Sequence, residues 1–129
     1  MQKKHEMIIG IGIDMIEVDR VMEKVNNDTG FREQVFSKSE IDFCESNRKF
    51  ENYAARFAAK EAFLKATGFG LLLGYDLAKV EVVNDVNGKP SILLRGNFEE
   101  LAKQNNWNKI HLSLSHLKQV ACAVVIIEK

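Results

Sequence analysis

The chain predicts an α+β fold in which a mostly antiparallel sheet packs against one long central helix and shorter helices. Three observations carry this. The order of segments reads strand, helices, strand pair, helix, strand pair, so hairpins outnumber crossovers. One helix, spanning 48–66, is far longer and more regular than any other segment. The last apolar run, Val120 to Ile127, is continuous rather than alternating, which places it at the centre of the sheet.

Taken in order, Met7 to Ile13 is a short isoleucine-rich run and reads as a buried strand. From Ile16 to Val25, apolar groups at 18, 21, 22 and 25 have helical spacing. Residues 26–30 form a turn, and Phe31 to Phe36 a short helix. Ser37 and Glu40 have the spacing of a capping box, with Ile41 and Phe43 following. Arg48 to Ala66 holds five alanines between 54 and 62 and no internal Gly or Pro, which favours a helix throughout. Gly68, Gly70 and Gly74 break it. Leu77 to Val83 alternates and reads as a strand. The Asn84 to Pro90 segment, with Asn87-Gly88 and the only proline, reads as a hairpin turn into Ser91 to Leu94. Phe98 to Asn106 looks helical. Lys109 to Ser115 alternates strictly, with Ile110, Leu112 and Leu114 on one face and His111, Ser113 and Ser115 on the other.

At 129 residues, the length suits a single compact domain spanning 1–129. Apolar residues at 46% and charged residues at 28% are ordinary for a globular protein. Eighteen cations balance eighteen carboxylates, so bulk attraction to nucleic acid or to an anionic membrane is not expected. An anionic ligand must then be held by a local cluster of cations. Two cysteines, Cys44 and Cys122, give no disulfide framework and suit a reducing cytoplasm. No apolar run approaches membrane-spanning length, and the polar start from Met1 to Glu6 does not read as a signal peptide.

Chemistry concentrates in four stretches, Gly10 to Asp14, Arg56 to Lys65, Asn87 to Pro90 and Ser113 to His116, with further candidates beside them. Arg56-Phe-Ala-Ala-Lys60-Glu61-Ala-Phe-Leu-Lys65 puts three cations and a carboxylate on an otherwise apolar helix. Glu61 and Lys65 are four residues apart and share a face; Arg56 and Lys60 share a neighbouring one. Ala55, Ala59, Ala62 and Ala66 form a stripe that lets another backbone approach closely. Asp14 stands where the first apolar run stops, a position that serves either a ligand in a strand-end crevice or the N-cap of the next helix. His116 ends a strand beside Ser115 and near Lys118; its roles are a turn residue or a phosphate donor. A Ser-His hydrolase is disfavoured, because adjacent strand residues face opposite ways. Gly68 and Gly70 follow a helix rather than precede one, so they read as a C-cap rather than a P-loop. Arg20 and Lys24 are four apart and form either a solvated face or a surface for an acidic partner. Two carboxylates with several cations are the groups that hold a divalent metal against a pyrophosphate.

Together these stretches resemble one family, the holo-acyl-carrier-protein synthases, which are small bacterial 4′-phosphopantetheinyl transferases. The likeness runs through Gly12-Ile-Asp14 with Glu17 and Arg20, Phe36-Ser37 with Glu40, the Arg56 to Lys65 block, Asn87-Gly88-Lys89-Pro90, and Ser113-Leu-Ser-His116 with Ala121 and Ala123. It implies transfer of the phosphopantetheine arm of coenzyme A to a serine of acyl carrier protein in fatty-acid biosynthesis. It implies Asp14 and Glu61 as Mg²⁺ ligands, with Lys65 completing the catalytic set. It implies that Arg56, Lys60, Lys65, Gly68, Gly70, Ser115 and His116 bind coenzyme A, with Asn87, Gly88, Lys89 and Pro90 as the adenine-side turn. Arg20, joined by Lys24, would meet the acidic carrier protein. Family members of this size are homotrimers with sites between subunits. One departure is Leu71-Leu-Leu73 before Gly74, where the family shows another glycine. Two readings stand beside this one: a coenzyme A or nucleotide-binding module without catalysis, and a metal-dependent phosphohydrolase.

Overall fold

The computed structural model describes residues 7–27, 29–70 and 76–129. The expected breaks at Leu71 to Gly74 and the Asp28 position of the first turn lie outside the described residues. The elements are β1 (Ile8–Glu17), α1 (Val18–Asn26), α2 (Phe31–Val35), α3 (Lys38–Ser46), α4 (Lys49–Thr67), β2 (Val80–Asn84), β3 (Pro90–Leu94), α5 (Asn97–Asn105), β4 (Lys109–His116) and β5 (Val120–Glu128). A 3-10 turn, Leu77–Lys79, precedes β2.

All pairings are antiparallel. The strands form two sheets rather than one: β1-β5-β4 and β2-β3. As its continuous apolar run predicts, β5 is central. Its alternate residues Ala121, Ala123, Val125 and Ile127 are buried against α4.

The α4 helix is almost wholly enclosed. Thirteen of its residues are buried, among them the alanines of the stripe. That stripe finds its partner within the chain. A Cβ on Gly12 would stand 1.8 Å from the Ala62 carbonyl oxygen, and one on Gly10 1.8 Å from that of Ala66. Two glycines on the strand and two alanines on the helix therefore put β1 and α4 backbone to backbone. The registers also match. Two strand residues advance about 6.7 Å and one helix turn about 5.4 Å. The next inward residue after Gly12, Asp14, thus lies one turn from Ala62 toward the N-terminus of α4.

Two expectations about β1 change. It runs on to Glu17, because Glu17 still pairs with Val120 and the Val18 N–H donates to the Gln119 carbonyl at 2.8 Å. Asp14 is therefore inside the strand, opposite Ala123, and the N-cap of α1 is Glu17. Nor is β1 buried on both faces. Only one face meets α4, and the other leaves Ile11, Ile13 and Met15 at 61%, 58% and 68% exposure.

The capping box at Ser37 forms as its spacing predicts. It also joins three elements. Glu40 Oε1 accepts from the Ser37 N–H at 2.9 Å and from Lys60 Nζ at 2.8 Å. Its Oε2 accepts from the Val82 N–H at 3.0 Å. Lys60 spends its other donors on the Leu77 and Val80 carbonyls, at 2.9 and 2.6 Å. These bonds hold Leu77–Lys79 as a 3-10 turn where alternation predicts strand. Lys60, expected beside a nucleotide, has 0% exposure and all three donors engaged inside the fold. Glu40→Ala would leave that ammonium buried without its ion-pair partner. The expected cost is about 3–5 kcal/mol, read as a lower urea midpoint at unchanged slope.

Candidate active site

The close contact of β1 with α4 brings Asp14 and Glu61 to the same hollow although they are far apart in the chain. A pocket of about 390 Å³ is lined by Asp14, Glu17, Arg20, Lys24, Phe57 and Glu61, with Met15, Ile16 and Val120 completing it. Glu61 is half-buried. Burial lifts its pKa above the ordinary carboxylate range, and the neighbouring charge of Asp14 adds to that; Lys65 and Lys24 oppose it. Lys65, one turn beyond Glu61, reaches back to donate to Asp14 Oδ1 at 3.0 Å and to the Ile13 carbonyl at 2.9 Å. Two carboxylates that repel across a polar hollow, with an ammonium already drawn to one of them, make a site that favours a cation. Both are hard oxygen donors. Among the described residues no group of three or more His, Cys, Asp or Glu side chains is placed to hold a metal ion. A metal at this pair would therefore take its remaining ligands from substrate and water, which suits Mg²⁺ better than an ion that needs a full protein cage.

Arg20 and Lys24 stand at the mouth of the pocket. Arg20 is mostly exposed and pairs with Glu17 at 4.0 Å. Lys24 lies over the rings of Phe31 and Phe57, at 5.5 and 5.9 Å.

Arg56 points elsewhere. It is 3% exposed, and its guanidinium stacks 4.1 Å from the centre of the Phe43 ring. It donates from Nη2 to Asn84 Oδ1, while its buried Nε has no partner among the described residues. A hollow of about 240 Å³ opens beside it, lined by Ser39, Phe43, Val82, Val83 and Asn84. Asn84 in turn donates to the Gly88 carbonyl at 3.0 Å, tying Arg56 to the β2-β3 turn. Asp85 shapes that turn by accepting from the Asn87 and Lys89 N–H groups at 2.8 and 2.9 Å. Gly88 adopts φ +84°, which only glycine takes freely. Asn87, Gly88, Lys89 and Pro90 are thus grouped with Arg56, and none of them lines the Asp14–Glu61 pocket.

Gly68 caps α4 in the left-handed region, its N–H donating to the Lys65 carbonyl at 3.2 Å. Gly70 lines a hollow of about 210 Å³ with Glu61, Leu64 and Lys65. Ser115 and His116 divide. His116 pairs with Ala121 at the same end of the sheet as Ile16, on the inward side of β4, whereas Ser115 pairs with Cys122 and is exposed on the outer face.

Phe43 and Asn84, which position Arg56, escaped notice in the sequence. A phenylalanine in a helix and an asparagine before a turn give no local sign of a shared arginine.

The comparisons with known proteins identify the family. Residues 10–125 match the family described as the 4′-phosphopantetheinyl transferase superfamily. A holo-[acyl-carrier-protein] synthase of Cytophaga hutchinsonii is 43% identical over 126 residues, covering 95% of this chain and 99% of that protein. Among solved structures, a holo-(acyl-carrier-protein) synthase from Bacillus anthracis str. Ames, in complex with CoA (3′,5′-ADP), superposes with a TM-score of 0.78 at 35% identity, covering 95% of this chain and 98% of that one. The holo-[acyl-carrier-protein] synthase of Neisseria meningitidis gives 0.85 at 27% identity, covering 95% of this chain and 100% of that one. With a family match over most of its length and curated relatives this similar, the chain belongs to the 4′-phosphopantetheinyl transferase superfamily, among the holo-acyl-carrier-protein synthases.

Proposed function

We propose that this chain transfers the 4′-phosphopantetheine arm of coenzyme A to a serine hydroxyl of apo acyl carrier protein, releasing adenosine 3′,5′-bisphosphate, and serves fatty-acid biosynthesis. Residues 1–129 act as one transferase domain in the cytoplasm. The observation that carries this is the convergence of Asp14 and Glu61 on one hollow that Arg20 and Lys24 also line, with Lys65 hydrogen-bonded to Asp14. The family relationship supplies the substrates.

Asp14 and Glu61 are the residues that would hold Mg²⁺. Bound there, the ion supplies neutralisation of charge on the pyrophosphate. Lys65, already hydrogen-bonded to Asp14, holds the transferring phosphate. Arg56 is a buried guanidinium with no ion pair among the described residues and an open hollow beside it. A buried cation in that state is stabilised by an anion, and a second phosphate of coenzyme A is the anion proposed. The β2-β3 turn lies next to it for the adenine. Mixing coenzyme A, Mg²⁺, apo acyl carrier protein and this protein should add the arm's mass to the carrier. Cleavage of coenzyme A without carrier modification would point to a phosphohydrolase instead.

Arg20 is proposed to meet the acidic carrier. Arg20→Ala should raise the KM for carrier protein well above any rise for coenzyme A, and added salt should shrink the difference. Equal effects on both substrates would contradict carrier docking.

The assembly proposed is a homotrimer with its sites between subunits. In one chain the candidate residues stand in separate places: Asp14 and Glu61 at one hollow with Lys65 bonded to Asp14, Arg56 with Asn84 at another, Ser115 on the outer sheet face. A pocket of about 390 Å³ is near the lower end of the range for small-molecule sites, about 300–1,000 Å³, so much of a coenzyme A would project beyond it. Copies packed through the outer face would cover Ile11, Ile13 and Met15, an apolar stripe of the kind that marks an interface. Ile13→Glu should convert the trimer to monomer by light scattering, and lower transfer in parallel. A variant still trimeric would place the interface elsewhere.

A further inference from the structure

We propose that Trp107 is a positioning residue for the transfer site, acting through Phe69 on the turn Gly68–Gly70. The inference rests on the reading of that site given above. Phe69 stands between two glycines in the left-handed region, Gly68 at φ +78° and Gly70 at φ +57°. A Cβ at either glycine would meet nothing within 4 Å among the described residues, so the positive φ rather than close packing is what glycine serves there. Glycine on both sides of one residue gives the turn wide freedom in φ and ψ. Its shape must come from its attachments. Two are local: Gly68 N–H donates to the Lys65 carbonyl at 3.2 Å, and Phe69 N–H to Thr67 Oγ1 at 3.2 Å. The third is tertiary: the Phe69 ring lies 6.2 Å from Trp107 at an interplanar angle of 47°.

Trp107 is a firm anchor. It is 6% exposed and meets Phe63 edge to face, at 5.7 Å and 87°. Phe63 meets Phe98 the same way, at 6.1 Å and 71°. Asn106, the one residue other than glycine with positive φ among the described residues, ends α5 and turns the chain so that the Trp107 N–H donates to the Ala102 carbonyl at 2.9 Å. Phe69 itself remains 37% exposed, so it is not a fully buried member of the core. Its neighbour Gly70 lines the same hollow as Glu61 and Lys65. The sequence of neighbours runs from Trp107 to Phe69 to Gly70, which borders one hollow with Glu61 and Lys65. Loss of the ring contact would spread the turn over many conformations. Apparent affinity for a ligand that needs one of them then falls by the fraction still populated.

The experiment uses Phe69→Ala, with Phe69→Tyr as the conservative variant. An aromatic contact of this kind corresponds to about a two- to tenfold change in an equilibrium constant. Phe69→Ala should therefore raise the KM for coenzyme A about two- to tenfold, with a smaller change in kcat and none in the KM for carrier protein; Phe69→Tyr should restore it. Trp107 is the sole tryptophan of the chain, so tryptophan emission reports on the surroundings of this one ring, Phe69 among them. Coenzyme A added to wild type should shift that emission, and the shift should weaken in Phe69→Ala. This titration needs no turnover, so it is independent of whether carrier protein is modified, which the mass measurement on wild type decides by itself. Equal affinity for coenzyme A in wild type and Phe69→Ala, with the same emission response, would overturn the positioning role.

Discussion

Glu61→Gln is expected to abolish most transfer while leaving the protein folded and more stable. The loss of activity should be at least about a hundredfold, the scale of removing one group that stabilises charge at a reacting centre. The gain in stability follows from the direction of the Glu61 pKa, which burial and then Asp14 raise. A carboxyl whose folded pKa exceeds its unfolded value opposes folding once it must ionise. That penalty is absent below the ordinary carboxylate range, grows as pH rises toward the folded pKa, and is fully present above it. The Gln variant escapes it, so at neutral pH its melting temperature should exceed that of wild type. The difference should vanish in acid. A divalent cation inverts the comparison. Mg²⁺ should raise the melting temperature of wild type by mass action and leave Glu61→Gln nearly unmoved. If Mg²⁺ stabilises both equally, the pair of Asp14 and Glu61 does not hold the ion.

Gly12→Ala is expected to have the largest structural effect of any small substitution on the sheet. One methyl group would sit 1.8 Å from the Ala62 carbonyl oxygen and 2.7 Å from the Ala66 backbone nitrogen. Both obstacles are backbone inside a continuous helix, so no side chain can swing away. The strand must lift off α4, and the interior is too well packed to absorb that locally. A cost of about 1–3 kcal/mol or more follows from forced overpacking, seen as a lower melting temperature. The strand that lifts also carries Asp14 away from Glu61. Activity should therefore fall further than the loss of folded protein accounts for, and Mg²⁺ should stabilise the remaining folded fraction less than it does wild type. Substituting Gly88 offers a contrast. A Cβ there meets nothing within 4 Å, so its penalty comes only from the φ of +84°.

Both predictions depend on a geometry that local pattern reading foresaw in part. The antiparallel character of the sheet, the central place of β5, the long α4 and the Ser37 capping box all follow from periodicity and capping chemistry within short windows. Burial was harder. The periodicity of β1 marks an apolar strand, but not that only one face would be covered. The helix spacing of Arg56 and Lys60 places them on one face, but not that one opens on a hollow while the other is sealed. The difference lies in Glu40, twenty residues before Lys60, whose carboxylate meets the ammonium only after α3 has packed on α4. Likewise the alternation over Leu77 to Val83 gives no hint that two of its carbonyls would be taken by a lysine side chain.

The sequence by itself determined the elements, the family and the residue types able to carry the chemistry, because these depend on spacing along one segment and on side-chain functional groups. Only the tertiary structure decided which of those residues meet. Asp14 faces Glu61 because Gly10 and Gly12 allow β1 to rest directly on Ala62 and Ala66, and Arg56 turns to the β2-β3 hairpin because Phe43 and Asn84 receive it there. Such contacts join residues tens of positions apart, and the energy that selects them comes from packing the whole chain at once.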